Sequence, residues 1–308
     1  MKKILIPMMM IFALIISGCS NQSAKQEGAS AVEDKTPKKI TYQSENGPIE
    51  VPANPQRIVV LNSFVSGHVM ALGGNIVGTD VWAKGNPRYE KYIKDAVEVS
   101  DENLEKIIEL KPDLIIAAST NNNIDKLSKI APTVTYTYGK VDYLTQFLEV
   151  GKVMNKEKEA KAWIDDFKVR AQKAGEEVKA KIGADATISV VESFEKQLYV
   201  FGDNWGRGTE IIYQEMKLKM PEKVKEMALK AGYYAISPEV LSQYAGDYVI
   251  FSKNSAADNS FQGTNTYKNI PAVKNNRLFE VDAKEFYFND PITLDYQLDL
   301  FKKSLLGN

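Results

Sequence analysis

Residues 156–182 read KEKEAKAWIDDFKVRAQKAGEEVKAKI, the most periodic segment of the chain. Its apolar side chains recur every three or four positions and form one stripe on a helix: Ala160, Ile164, Phe167, Ala171, Ala174, Val178 and Ile182. Charged residues fill the other faces. At about 1.5 Å per residue the helix would be roughly 40 Å long, comparable with the diameter of a small domain.

On either side of this helix, the chain alternates between short β-rich runs and helical patterns. The predicted strands are residues 57–61, 75–78, 113–117 and 133–136 before the helix, and 186–191, 198–201, 247–251 and 277–281 after it. This alternation is typical of parallel strands joined by crossover helices. We therefore predict an α/β protein with two Rossmann-like lobes, mainly parallel sheets and a single long connecting α-helix. The alternative is an ordinary amphipathic surface helix of one domain.

A continuous connecting helix also predicts how the lobes move. It resists the changes in φ and ψ that a loop hinge absorbs, so we expect little hinge closure of the lobes.

The N-terminus indicates export. Lys2 and Lys3 precede an apolar run over residues 4–16, which is typical of a signal peptide and too short to span a membrane; a buried N-terminal strand or helix is the alternative. The ending Ile16-Ser-Gly-Cys19 resembles the lipobox of bacterial lipoproteins, which implies a diacylglycerol or palmitate anchor on Cys19 and an extracytoplasmic location at the cell membrane. Residues 20–37 are too polar to bury a core.

These features predict the domain organisation. The boundaries are a lipoprotein signal peptide at 1–18, a flexible tether at 19–37, an N-terminal lobe at 38–155, the connecting helix at 156–183 and a C-terminal lobe at 184–308.

Composition excludes several kinds of chemistry. The 308 residues include one cysteine, Cys19, and one histidine, His68, so this chain cannot assemble a cysteine/histidine zinc site, an iron–sulfur cluster or an internal disulfide. The 39 basic and 40 acidic residues balance, which predicts no field that would recruit nucleic acid. The chain also lacks G-x-S-x-G, phosphate-loop and H-E-x-x-H motifs. We therefore expect no enzyme and a structural His68, with a surface-anchored hydrolase or an adhesion lipoprotein as remote alternatives.

Aromatic and basic side chains are concentrated on loops, where α/β sheets usually bind ligands. In residues 201–209, FGDNWGRGT, Trp205 and Arg207 are flanked by glycines, so their backbone can approach a ligand closely. In residues 286–292, FYFNDPI, alternation would place Tyr287 on one side and Phe286 and Phe288 on the other.

A third loop, residues 81–90, follows a predicted strand of the first lobe. It carries Trp82, Lys84 and Arg88, which are further candidates for ligand contact. Each of them could equally be an ordinary surface residue.

Several motifs together resemble a known family. Residues 52–60, 103–116 and 130–134 are similar to the first lobe of the substrate-binding proteins of iron–siderophore ABC importers, the helical-backbone (class III) periplasmic binding proteins. Residues 202–208, 244–248 and 288–291 resemble the second lobe of the lipoprotein members that bind ferric hydroxamates such as ferrichrome and ferrioxamine. Thr209 departs from the pattern, in which a third glycine is usual.

The resemblance implies a function and a set of roles. Trp205 and Arg207 match pocket residues, with the arginine donating hydrogen bonds to the iron-chelating oxygens and the aromatics packing on the organic shell of the ligand. Tyr287 and Phe288 are further candidates from the loop pattern, with at least one of the aromatics at 286–288 expected in the core. Glu105 and Glu239, one in each lobe, match glutamates that pair with arginines of the permease. The protein would be a monomer that delivers a ferric siderophore to an ABC permease and, through it, to the ATPase. It would need no cofactor and no metal ligands, because the siderophore holds the iron.

Ligand charge separates the closest alternatives. Ferric tris-hydroxamates are neutral or modestly positive, whereas a ferric tris-catecholate is a trianion that would need several cations in the cleft. Arg207 is the best-supported cation, and Lys84 and Arg88 could add to it. We therefore expect a hydroxamate, with a catecholate or another iron chelate as the alternative.

Overall fold

The structure is a computed structural model that describes residues 38–307. The predicted signal peptide, Cys19 and the tether before residue 38 lie outside the described residues. All the described residues belong to one compact unit. Over residues 38–307 no helix combines the length and the apolar character needed to cross a membrane.

The first lobe is built on a parallel sheet. The strands before the long helix are β1 Lys39–Ser44, β2 Gly47–Pro52, β3 Ile58–Leu61, β4 Ile76–Thr79, β5 Val97–Glu98, β6 Leu114–Ala118 and β7 Thr133–Tyr136. The sheet order is β5-β4-β3-β6-β7, with every pairing parallel. Strands β1 and β2, which were not predicted from the sequence, form a separate antiparallel hairpin.

The second lobe has a mixed sheet. Its strands are β8 Ile188–Phe194, β9 Gln197–Phe201, β10 Tyr233–Ile236, β11 Tyr248–Lys253 and β12 Leu278–Asp282, in the order β10-β9-β8-β11-β12. The pairings of β11 with β8 and β12 are parallel, as predicted. The pairings of β9 with β8 and β10 are antiparallel. Only Glu195 and Lys196 connect β8 to β9, and so short a connection forces a hairpin.

Helices cover both sheets. They are α1 Ser63–Ala71, α2 Val81–Lys84, α3 Glu90–Ile93, α4 Leu104–Glu109, α5 Ile124–Leu127, α6 Tyr143–Val153, α7 Glu157–Ile182, α8 Glu222–Ala228, α9 Asn265–Lys268, α10 Pro271–Lys274, α11 Ala283–Phe286 and α12 Pro291–Leu306. A π-helix, Glu210–Glu215, and two 3₁₀ helices, Pro238–Gln243 and Ser260–Gly263, complete the second lobe.

The predicted long helix is confirmed as the 26-residue α7, between the strands of the two sheets. Every member of its apolar stripe from Ala160 to Val178 is buried, and Ile182 is partly buried. The stripe packs against α6, α12 and the π-helix. Gly175 lies in the middle of the helix because a Cβ atom there would be 2.4 Å from the backbone oxygen of Met216. The predicted α/β fold with two lobes and a connecting helix is therefore confirmed.

The segment from α11 to α12 links the lobes a second time. Phe286 packs in the core of the second lobe, whereas Tyr287 and Phe288 pack in the core of the first. The predicted alternation, with Phe286 and Phe288 on the same side, is therefore wrong, because Phe286 ends a helix and is not part of a strand. Asp290 accepts a hydrogen bond from the buried phenol of Tyr89 in the first lobe.

His68 lies in the core of the first lobe. It is 1% exposed, and its ring stacks on Phe147 with a centroid separation of 5.5 Å. Burial lowers the pKa of His68 from its ordinary 6.5 to about 3. Below pH 6.5, His68 therefore stays neutral in the folded protein, whereas the unfolded chain binds a proton there.

This difference in protonation predicts a loss of stability in acid. The contribution of His68 is fully present above pH 6.5 and is lost as pH falls from that value towards 3. We expect the free energy of unfolding to fall by roughly 2 kcal/mol between pH 7.5 and pH 5 from this group alone. Urea titrations of the wild type and of His68→Gln at both pH values measure this fall. The carboxylates titrate alike in the two proteins, so the difference between them is the contribution of His68. An equal fall in the two proteins would contradict the assignment.

Candidate functional site

The loop after β9 has an unusual backbone. Three successive residues have positive φ angles, 70° at Gly206, 58° at Arg207 and 78° at Gly208. A Cβ atom on Gly206 would lie 2.3 Å from the backbone oxygen of Tyr287. One on Gly208 would lie 2.3 Å from Cζ of Phe301. Glycine is required on both sides of Arg207 for two reasons. A residue with a Cβ atom would be strained at these positive φ angles, and the Cβ atom would clash with its neighbours.

Thr209 closes this loop with its side chain. Its hydroxyl donates a 2.8 Å hydrogen bond to the backbone oxygen of Gly206. The backbone N–H of Trp205 donates to the same hydroxyl oxygen over 3.4 Å. Thr209 has a φ of −62°, so its backbone does not require the glycine that is usual in the family's pattern. The departure from that pattern supplies a side chain that stabilises the loop.

A pocket of about 360 Å³ lies between this loop, the start of α1, α2 and the segment after α11. It contains five of the predicted ligand residues: Trp82, Trp205, Arg207, Tyr287 and Phe288. The other residues that line the pocket were not predicted from the sequence: Ser63, Phe64, Glu192, Phe194, Tyr199, Phe201 and Tyr233. Residues from both lobes therefore share one largely aromatic pocket.

Arg207 lies against a buried carboxylate. Its Nε and Nη2 atoms donate to the two carboxylate oxygens of Glu192 over 3.1 and 2.9 Å, and Nη1 donates to the backbone oxygen of Trp205 over 3.1 Å. The guanidinium carbon also lies 5.0 Å from the ring centres of Phe201 and Tyr287. A guanidinium carries five N–H groups. Within the described chain, Arg207 therefore keeps two N–H groups that can donate to a ligand.

Glu192 was not predicted as a site residue, because the predicted strand ended at residue 191 and left this carboxylate outside it. It is 1% exposed, lies in β8 and accepts a further 2.8 Å hydrogen bond from the hydroxyl of Ser252. A carboxylate inside a buried strand needs a hydrogen-bonded or charged partner. The sequence does not show which residue that partner is, because Arg207 lies in the loop after β9 and not in β8.

The aromatic groups of the pocket differ in exposure. Trp82 is 49% exposed and packs edge-on against Tyr287, with ring centres 5.8 Å apart. Tyr287 is mostly buried, and desolvation raises its pKa to about 12, so its phenol keeps its proton at neutral pH. Phe288 is 3% exposed and packs edge-on against Phe64, so it supports the floor of the pocket.

Lys84 and Arg88 do not reach this pocket. The ammonium of Lys84 donates to the backbone oxygens of Ile93 and Ala96, 3.0 Å from each. Arg88 pairs with Glu285 and its guanidinium lies 3.5 Å from the ring centre of Tyr296, at a different cavity. Both cations are engaged by the protein itself. Among the residues that line the pocket, the charged ones are Arg207 and Glu192.

A second, more polar cavity of about 880 Å³ adjoins the pocket and shares Phe64 and Trp205 with it. Tyr138 lines this cavity and contacts both shared rings, at centroid distances of 4.5 and 4.7 Å. Its phenol donates to the backbone oxygen of Asn204 over 3.0 Å, so it bridges the lobes. The smaller cavity is the candidate site because the guanidinium of Arg207 lies there among aromatic rings from both lobes.

Glu105 and Glu239 lie on the surface. Glu105 is in the first turn of α4 and Glu239 in the first turn of the 3₁₀ helix after β10. Both side chains are exposed, and neither forms an ion pair within residues 38–307. The same range contains no group of three or more histidine, cysteine, aspartate or glutamate residues placed to hold a metal ion.

Two α/β lobes with an aromatic pocket between them are the form of a substrate-binding protein. Residues 58–285 match the family of periplasmic binding proteins, and the chain belongs to that family. It is 33% identical to the iron(3+)-hydroxamate-binding protein YxeB of Bacillus subtilis, over 99% of this chain and 98% of that one. It is 36% identical to the iron(3+)-hydroxamate-binding protein FhuD of the same organism, over 96% of each chain.

Solved structures agree with this assignment. The FhuD protein from S. pseudintermedius has a TM-score of 0.79 and 37% identity, and the match covers 88% of this chain and 99% of that one. FhuD2 from Staphylococcus aureus, solved with bound ferrioxamine B, has a TM-score of 0.78 and 37% identity, over 82% of this chain and 99% of that one. The predicted family and fold are thus confirmed.

Proposed function

We propose that this protein captures a ferric hydroxamate siderophore outside the cytoplasm and passes it to an ABC importer. The arrangement of Arg207 is the observation that carries the proposal. Glu192 fixes the guanidinium plane, two N–H groups remain available, and aromatic rings surround the charge. Such a site can donate to the oxygens of a chelate and pack against its organic shell.

The charge of the pocket favours a hydroxamate over a catecholate. Arg207 and Glu192 cancel formally, and Lys84 and Arg88 lie elsewhere. A trianionic ferric catecholate would enter this pocket without a surplus cation, whereas a neutral or weakly positive ferric hydroxamate needs none. The names of the relatives, two iron(3+)-hydroxamate-binding proteins, support the same ligand class.

The remaining assignments belong to the same proposal. Cys19 would carry the lipid anchor, and residues 20–37 would tether the lobes of a monomer to the outer face of the membrane. Glu105 and Glu239 would meet arginines of the permease, and uptake assays on their alanine variants test this role. The protein would bind the ligand without changing it, so it would be no enzyme and need no cofactor.

A fluorescence titration tests the ligand class. Of the three tryptophans, Trp82 and Trp205 line the pocket, whereas Trp163 lies on α7. We expect saturable quenching of the mature protein by ferrioxamine B and ferrichrome, and none by a ferric catecholate or ferric citrate at the same concentration. Quenching by the catecholate alone would overturn the ligand assignment.

Two tryptophan variants test whether the fluorescence quenching arises in the pocket. Trp163→Phe should keep the quenching, whereas Trp205→Ala should weaken hydroxamate binding by about 1–3 kcal/mol, because it removes an aromatic contact. Turnover of an extracellular substrate without any siderophore binding would instead favour a hydrolase.

A further inference from the structure

Residues 285–290 form a bridging segment, from the last turn of α11 to the N-cap of α12, that carries part of the pocket between the lobes. Tyr287 and Phe288 lie in its middle and line the pocket. From the second lobe, the backbone N–H of Arg207 donates to the backbone oxygen of Phe286 over 2.9 Å. The position of Tyr287 in the pocket therefore also depends on what holds this segment from the first lobe.

Arg88 holds the start of the bridging segment. It lies between α2 and α3, and its Nε and Nη2 atoms are 3.1 and 3.2 Å from the two carboxylate oxygens of Glu285. Its guanidinium also lies over the ring of Tyr296, with the central carbon 3.5 Å from the ring centre. The phenol of Tyr296 donates to the same carboxylate over 2.8 Å. These contacts anchor α11 to the first lobe.

Tyr89, the next residue, holds the end of the bridging segment. It is buried, its phenol donates to the carboxylate of Asp290, and its ring stacks on Phe288 with the centres 5.7 Å apart. Asp290 in turn caps α12 through the backbone N–H groups of its first turn. Two adjacent residues of the first lobe therefore contact the segment on either side of Tyr287.

The same stretch of the first lobe carries Trp82. Its half-exposed ring contacts those of Tyr287 and Phe194, with centre separations of 5.8 and 6.2 Å. Trp82 precedes Arg88 by six residues, so the anchoring of Arg88 limits how far the backbone of Trp82 can move from Tyr287. One wall of the pocket is thus fixed by a contact that lies outside it.

We propose that Arg88 is a positioning residue for ligand binding, which holds Tyr287 against Trp82 by anchoring the bridging segment. This inference deepens the proposed function and rests on it for the effect on siderophore affinity. The side chains of Arg88 and Glu285 are 38% and 18% exposed, so their ion pair should contribute little to global stability. An effect on affinity therefore distinguishes positioning from ordinary stabilisation.

Arg170 provides a matched control. Its side chain is also 38% exposed, it pairs with Asp166 and Asp295, and its guanidinium carbon lies 5.7 Å from the ring centre of Phe167. It lies on α7, and none of these three partners belongs to the bridging segment or lines the pocket. Removing it takes away a similar set of contacts without releasing Tyr287.

The first experiment measures ferrioxamine B affinity by fluorescence titration, with every variant in a Trp163→Phe background so that the signal comes from the pocket. Arg88→Ala and Glu285→Ala should each weaken binding by about three- to tenfold, the scale of one partly exposed charge pair with its ring contact. Arg170→Ala should bind within about twofold of the background protein. Equal effects of Arg88→Ala and Arg170→Ala would overturn the positioning role.

A double-variant cycle tests whether Arg88 acts through Trp82. In a Trp82→Ala protein the contact that Arg88 positions is already absent, so adding Arg88→Ala should weaken ferrioxamine B binding by less than about twofold. A purely structural contribution would instead add in full to the effect of Trp82→Ala. Such additivity would contradict the proposal.

The third measurement needs no ligand. In a Trp163→Phe, Trp205→Phe protein, Trp82 is the remaining tryptophan. Arg88→Ala should raise the acrylamide quenching of its fluorescence, because its ring is released from Tyr287, whereas Arg170→Ala should not. Unchanged quenching in the Arg88 variant would refute the positioning role. Absence of ferrioxamine B binding in every protein would contradict the proposed function, and the quenching would still decide whether Arg88 positions Trp82.

Discussion

Replacing Arg207 with alanine is expected to abolish measurable ferric hydroxamate binding and to lower the free energy of unfolding by about 3–5 kcal/mol. The side chains of Arg207 and Glu192 are only 12% and 1% exposed. Removing the guanidinium leaves a buried carboxylate with the hydroxyl of Ser252 as its remaining side-chain donor. Denaturant titration and fluorescence titration of the same variant measure both effects.

A double variant separates the two effects. Arg207→Met combined with Glu192→Gln removes both charges and keeps most of the volume, so stability should largely return while hydroxamate binding stays lost. Unchanged stability in Arg207→Ala would show that the pair is not buried in solution. Unchanged affinity would place the ligand site elsewhere.

The second large effect is expected from Gly206→Ala. Its Cβ atom would lie 2.3 Å from the backbone oxygen of Tyr287, at a φ of 70°. The loop must move away, which separates Trp205 and Arg207 from Tyr287. We expect the free energy of unfolding to fall by about 3 kcal/mol or more, together with a loss of hydroxamate affinity measured by fluorescence.

Gly73→Ala is the matched control for this variant. Gly73 has a φ of 74°, and no atom lies within 4 Å of a Cβ atom placed there. The free energy of unfolding of Gly73→Ala should fall only by the cost of a left-handed conformation, about 1–2 kcal/mol. The variant should bind the ferric hydroxamate normally. Equal effects of the two substitutions would show that the contact with Tyr287 does not matter.

Local patterns predicted much of the fold. The stripe of α7 has a period that only a helix can bury on one side, and the eight predicted strands all occur, with ends shifted by a few residues. The β1–β2 hairpin and the two short edge strands β5 and β10 were missed. β10 exposes Tyr233, Tyr234 and Ala235, so it lacks the alternation of buried and exposed residues that marks a strand.

The candidate site was predicted in part. The glycines around Trp205 and Arg207 mark a loop that approaches other groups closely, and both residues line the pocket. Lys84 and Arg88 carry the same charge as Arg207, and the sequence could not show that backbone oxygens and Glu285 already engage them. Whether a cation is available to a ligand depends on the neighbours that the folded chain brings to it.

The sequence by itself determined the elements of this protein: one long amphipathic helix, two sets of strands, and a glycine-bounded tryptophan and arginine. These features are local, because propensity and periodicity act over a few residues. Only the tertiary structure decided that Glu192 orients Arg207 and that Tyr287 and Phe288 cross into the first lobe. These contacts join separate elements of the fold, which local propensity does not bring together. Burial strengthens the polar contacts by removing the water that would otherwise solvate their polar groups.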